Sequence, residues 1–126
     1  MPLVRISLQA GKPKTYGRAI GDAVHRALVE TMNVPELDRF QLIVEEPAGG
    51  IVYDASYLGI ARTDAIVFIQ ITLNLGRTVE MKKALYAKIA DLVAESPGLR
   101  KEDVLVSLVE VTKENWSFGN GVAQYA

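Results

Sequence analysis

A chain of 126 residues, 49% hydrophobic and 23% charged, has the length and composition of one globular domain with a real core, and is too short for two. A net charge of −1 excludes a general attraction to nucleic acid or anionic membrane, and the absence of cysteine excludes disulfides, zinc ribbons and thiol nucleophiles. No apolar stretch reaches the ~18–20 residues of a membrane span, and the N-terminus lacks the layout of a secretory signal, so a cytoplasmic protein is expected.

Pro2 stands directly before a strand-like run, Leu3 to Leu8. A small second residue lets the initiator methionine be removed, which leaves a secondary amine at the start of a buried strand. An α-amino group titrates near ~7.7–8.0, and desolvation favours its neutral form. Such an amine can act as general acid or base without histidine or cysteine. A retained Met1 blocks it. The strand closes on Gly11-Lys12, and Ile20, Val24, Ala27, Leu28 and Thr31 then recur at helical spacing up to Pro35. Asp38 precedes a second strand, Phe40 to Glu45. A carboxylate there can orient a water, hold an ammonium, or simply form a turn.

Glu46-Pro47-Ala48-Gly49-Gly50 reads as a turn, and Ile51 to Tyr53 as a short extra strand of a hairpin. The run Ala65 to Leu73 is apolar on both faces, the pattern of a strand covered on both sides. Leu75-Gly76-Arg77 follows, and Met81, Leu85, Ile89, Leu92 and Val93 form a second helical stripe that ends near Pro97. A last strand spans Val104 to Val111. The tail Asn115 to Gly121 sets Trp116 and Phe118 among glycines, as a pocket wall, a subunit contact or cover for a strand end.

The heptads Ile6–Lys12 and Ile71–Arg77 match in residue class almost throughout. The chain is therefore β-α-β twice, with repeats over about 2–46 and 65–111 in a single domain 1–126. The predicted class is α+β, a four-stranded sheet with two helices on one face. Two helices cover one face only, so the other is expected to meet a second subunit. Lys12 and Arg77 each follow a glycine at a predicted helix start, where anions are favoured. Arg77 can clamp a carboxylate, whereas Lys12 offers a point charge, and both are also readable as solvated loop residues. His25, the one histidine, reads as a helix-surface or edge residue. No nucleotide-binding loop or metal-ligand spacing is present, and no cofactor or metal is expected.

Pro2-Leu3, Val34-Pro35 with Asp38-Arg39, Leu58-Gly59 with Ala61-Arg62, the Gly76-Arg77 turn and Trp116-Ser117-Phe118-Gly119 together resemble the tautomerase superfamily, nearest to its malonate semialdehyde decarboxylase members. The resemblance covers nearly the whole chain. It implies the fold shared with macrophage migration inhibitory factor, a homotrimer, and catalysis by Pro2 with Asp38 and Arg77. It places Lys12, Leu75, Trp116 and Phe118 at the substrate, with Leu75 where the decarboxylases carry a further arginine. The implied activity is keto–enol tautomerisation of small 2-oxo acids. Decarboxylation or hydration of a 3-oxo acid is the alternative, and a non-catalytic ferredoxin-like binding module is the rival of another class.

Overall fold

The computed structural model describes all of residues 1–126. Strand β1 (Leu3–Gln9) leads into helix α1 (Lys14–Met32) and strand β2 (Phe40–Glu46). After a connecting segment, β3 (Val67–Asn74), α2 (Val79–Glu95) and β4 (Val104–Val111) repeat the unit. The sheet order is β2-β1-β3-β4, with β1 parallel to β2, β3 parallel to β4, and β1 antiparallel to β3. The two predicted repeats are thus two parallel β-α-β units joined at an antiparallel seam.

Local chemistry explains the element ends. Gly11 and Gly76 hold φ of 108° and 120°, a region closed to most side chains, so each strand can turn sharply into its helix. The Thr78 hydroxyl accepts the amide of Met81 and caps α2. Asn33 closes α1 in the left-handed conformation at φ 56°.

Burial alternates along the central strands. Val4, Ile6 and Leu8 of β1 and Val67, Ile69, Ile71 and Leu73 of β3 pack under Ile20, Val24, Leu28 and Met32 of α1 and Leu85, Ile89 and Val93 of α2. Met32, rather than the anticipated Thr31, completes the α1 stripe. Thr31 turns its hydroxyl back onto the Ala27 carbonyl. Gly17 lets β2 approach α1 closely, since a Cβ there would stand 2.7 Å from Ile43 Cγ2.

Three expectations change. First, β3 is not apolar on both faces. Its other face carries Phe68, Gln70, Thr72 and Asn74, and it neighbours Arg5, Ser7 and Ser107. The polar positions were hidden because a strand's two faces interleave in sequence. This open face still leaves Leu3, Phe40, Leu42, Leu105 and Val109 between 38% and 51% exposed. Second, residues 51–53 form no strand. The connection winds around Arg62, whose Nη1 donates to the carbonyls of Asp54, Tyr57 and Ile60 at 3.2, 2.9 and 3.4 Å. Third, His25 is buried rather than on the surface; its Nε2 lies 2.8 Å from the Glu36 carbonyl and donates to it, fastening the segment that carries Asp38.

The Gly17 contact gives a measurable consequence. Gly17→Ala gains about 1 kcal/mol of helix propensity. It also overpacks a β-branched neighbour, a strain of roughly 1–3 kcal/mol. A net loss of about 1 kcal/mol is expected in urea unfolding, and a gain would show that β2 yields freely.

Candidate active site

The antiparallel seam brings the beginnings of β1 and β2 to the same end of the sheet as the ends of β3 and β4. Pro2 before β1, Asp38 before β2, Arg77 after β3 and Trp116 after β4 therefore meet, although they are spread through the sequence. Met1, Pro2, Leu3, Phe40, Trp116, Ser117 and Phe118 line a pocket of about 230 Å³ at this end, on the rim of the open face.

The site is built from groups that lack full partners. The Met1 amine lies 3.9 Å from Asp38 Oδ2, and the Asp38 side chain is only 12% exposed. Asp38 Oδ1 is buried without a hydrogen bond. Burial lowers the pKa of the amine from its ordinary 8.0. Asp38 opposes that shift by favouring the ammonium, and Arg77 adds to it by repelling the positive charge. The guanidinium of Arg77 donates to the Asn74 carbonyl at 3.1 Å and to the Met32 carbonyl at 3.4 Å, and forms no ion pair. A half-buried cation with only carbonyl partners is a ready site for an anion.

The apolar wall comes from the tail. Trp116 stacks on Phe118 with centroids 5.5 Å apart, and Phe118 meets Tyr125 edge-on at 5.0 Å. The Trp116 Nε1 donates to Asn74 Oδ1 at 2.7 Å.

Of the residues singled out from the sequence, Pro2, Asp38, Arg77, Trp116 and Phe118 come together. Lys12 does not. It follows the end of β1, at the opposite end of the sheet, and its Nζ sits over the Tyr16 ring at 5.2 Å. Leu75 follows Asn74, is 56% exposed, and extends the ladder to β4 through its amide. Leu3, Phe40, Asn74 and Tyr125 escaped the sequence reading. The Leu3–Phe40 pairing across β1 and β2 is a register, and register leaves no local signal.

The second repeat supplies a control within the same molecule. Asp103 stands before β4 as Asp38 stands before β2, yet it is fully buried and satisfied. It accepts the amide of Thr63 at 2.7 Å and its hydroxyl at 2.6 Å, with Arg100 at 3.6 Å. No amine is available there, because β3 begins in mid-chain. Asp103 is a structural carboxylate, whereas Asp38 keeps one oxygen without a partner.

Family models described as tautomerase enzymes match residues 2–59 and 38–119. The chain belongs to the tautomerase family. A Bacillus subtilis strain 168 protein named "Probable tautomerase YusQ" is 42% identical over 98% of both chains. The tautomerase fold is likewise shared with solved structures. The FG41 malonate semialdehyde decarboxylase inhibited by 3-bromopropiolate superposes with a TM-score of 0.92 at 37% identity, covering 98% of this chain and 93% of that one. A wild-type fused 4-OT described as a symmetric trimer gives 0.78 at 26%, covering 98% and 97%. Membership in this enzyme family takes the place of the ferredoxin-like binding module. No helix is long and apolar enough to cross a membrane.

The contrast between the two aspartates can be measured. Asp103→Ala strands the Thr63 donors and the Arg100 charge and is expected to cost about 3 kcal/mol. Asp38→Ala removes an oxygen that has no hydrogen bond and is expected to cost about 1 kcal/mol or less. Denaturant midpoints of the two variants decide; equal losses would make Asp38 structural as well.

Proposed function

We propose that this tautomerase-family protein interconverts the keto and enol forms of small 2-oxo acids in the cytoplasm, with the Pro2 amine as proton carrier after removal of Met1. The observation that supports this most is the company kept by the terminal amine: burial and Arg77 favour its neutral form beside an apolar pocket. Pro2 adjoins Met1, lines the same pocket and is itself buried, so its nitrogen is desolvated in the same way once it becomes the terminus.

The substrate carboxylate pairs with Arg77, and the organic body lies against Trp116 and Phe118. The neutral amine takes a proton from the carbon beside the carbonyl. That C–H pair becomes the new C=C bond, and the carbonyl π pair moves to oxygen as an enolate. Arg77 stabilises the charge as it develops, and the prolinium returns the proton to oxygen.

A second reading rests on Asp38. Its buried carboxylate faces the amine and favours the ammonium form. A protonated Pro2 polarises a carbonyl, which promotes loss of carbon dioxide from a 3-oxo acid or addition of water. Leu75, at the position where the decarboxylases resembled by this sequence carry an arginine, weighs against it.

The pH profile tests both readings with a sign. If the neutral amine is the base, kcat/KM rises with pH as the Pro2 ammonium loses its proton, and burial brings that rise to lower pH than in a free prolyl amine. Asp38→Asn removes an influence that raises the amine's pKa, so the rise moves to lower pH. Arg77→Ala removes an influence that lowers it, so the rise moves to higher pH and the rate falls. A profile that instead falls across this range supports the protonated amine and the decarboxylase or hydratase reading. A variant shown by intact mass to retain Met1 is expected to lose about 10²–10⁴-fold in rate. Full activity in that variant removes Pro2 from the mechanism.

The exposed apolar residues on the open face support a homotrimer, the state ascribed to the fused 4-OT relative. Light scattering is expected to return about three times the 13.8 kDa chain mass. A monomer at micromolar concentration would refute the assembly.

A further inference from the structure

We propose that Asn74 is the positioning residue of this pocket, setting the apolar wall and the cation in one frame through its side chain and its backbone. The proposal rests on the tautomerase reading of the site. Asn74 is the last residue of β3, paired with Val111 of β4. Asparagine is a poor strand former. Its place here is explained by what it holds. Its Oδ1 accepts the Trp116 indole N–H at 2.7 Å, and its carbonyl accepts Arg77 Nη1 at 3.1 Å.

The indole bond carries unusual weight. Residues 112–126 contain no strand and no helix beyond one short turn. Their other hydrogen bonds stay within the tail: Thr112 to Glu114, Phe118 and Gly119 to Gln124, and four backbone bonds. Trp116 to Asn74 is the one hydrogen bond that joins this tail to the rest of the chain. Trp116 in turn stacks on Phe118, and Phe118 meets Tyr125. A half-buried indole N–H has one donor and needs an acceptor. Only the oxygen of the amide can serve, so the bond also fixes which way the Asn74 amide faces.

A ligand with a carboxylate at Arg77 and a flat body under Trp116 therefore meets two walls whose separation one residue controls. Loss of the acceptor frees the tail and the ring, while the proton carrier and Asp38 stay in place. Binding is then expected to suffer more than turnover.

Trp116 is the sole tryptophan, so the fluorescence reports on this ring and its surroundings. Asn74→Leu removes the acceptor at similar size, Asn74→Asp keeps one, and Trp116→Phe removes the donor while leaving a smaller aromatic ring. Asn74→Leu is expected to red-shift the emission and to raise acrylamide quenching about twofold. With phenylpyruvate as probe, KM is expected to rise about tenfold, the scale of one lost hydrogen bond, with kcat within about twofold of wild type. Asn74→Asp should stay near wild type in both readouts. The double variant Asn74→Leu/Trp116→Phe should be no worse than Trp116→Phe alone, because the two substitutions break the same bond. Unchanged emission and KM in Asn74→Leu would overturn the proposal. Equal damage from Asn74→Asp would overturn it too, by showing that shape rather than the acceptor matters. If Asn74→Leu fails to fold by circular dichroism, Asn74→Ala decides by the same two readouts: a red-shifted emission with a raised KM upholds the proposal, and unchanged values overturn it. If the wild type does not turn over phenylpyruvate, the functional reading fails, while emission and quenching still decide whether Asn74 holds the ring.

Discussion

The antiparallel pairing of β1 with β3 is the constraint on which the rest depends. Each half alone is a parallel β-α-β unit whose strands begin at one end and finish at the other. Joined head to tail along β1 and β3, the halves bring the beginnings of two strands beside the ends of two others. A terminal amine, a carboxylate, a guanidinium and an indole are thereby brought to one end of the sheet. The apolar sides of β1 and β3, buried under both helices, hold that seam in register, because a slip of one residue would turn every core side chain outward.

That corner differs from an ordinary surface in what it leaves unsatisfied. Protein interiors seldom tolerate a buried carboxylate oxygen without a donor or a half-buried arginine without an acid. Here both flank an amine that burial pushes toward neutrality. The same scaffold elsewhere shows how completely such groups can be quieted. Asp103 is enclosed by Thr63 and Arg100, and its field, after burial, helps hold the Tyr16 hydroxyl above its ordinary 10.0. One fold thus contains one copy of the motif with an unpartnered carboxylate oxygen and one copy fully satisfied.

The sequence exposed the elements well because their signals are local. Apolar spacing marked both helices, and the paired Gly11-Lys12 and Gly76-Arg77 turns marked the repeat. Pro2, Asp38 and Arg77 were legible because each sits at an element boundary. What escaped was relational. The resemblance places Lys12 at the substrate, although strand β1 itself carries it to the far end of the sheet from Pro2. The acceptor role of Asn74 and the contact of Leu3 with Phe40 depend on register and on a tail that returns to the sheet. His25 read as peripheral because its partner, the Glu36 carbonyl, belongs to the backbone of a loop.

Both ends of the chain are committed to the same corner. Met1 lines the pocket, and Tyr125 braces Phe118 from the other terminus. A purification handle on the N-terminus therefore adds bulk beside the pocket, and one on the C-terminus sits next to the residue that braces its wall. The exposed turn at Gly49-Gly50 faces solvent, in the connection between the two halves. A label inserted there leaves both termini as they are, which makes this turn the natural attachment point for immobilising the protein or following it by optical methods.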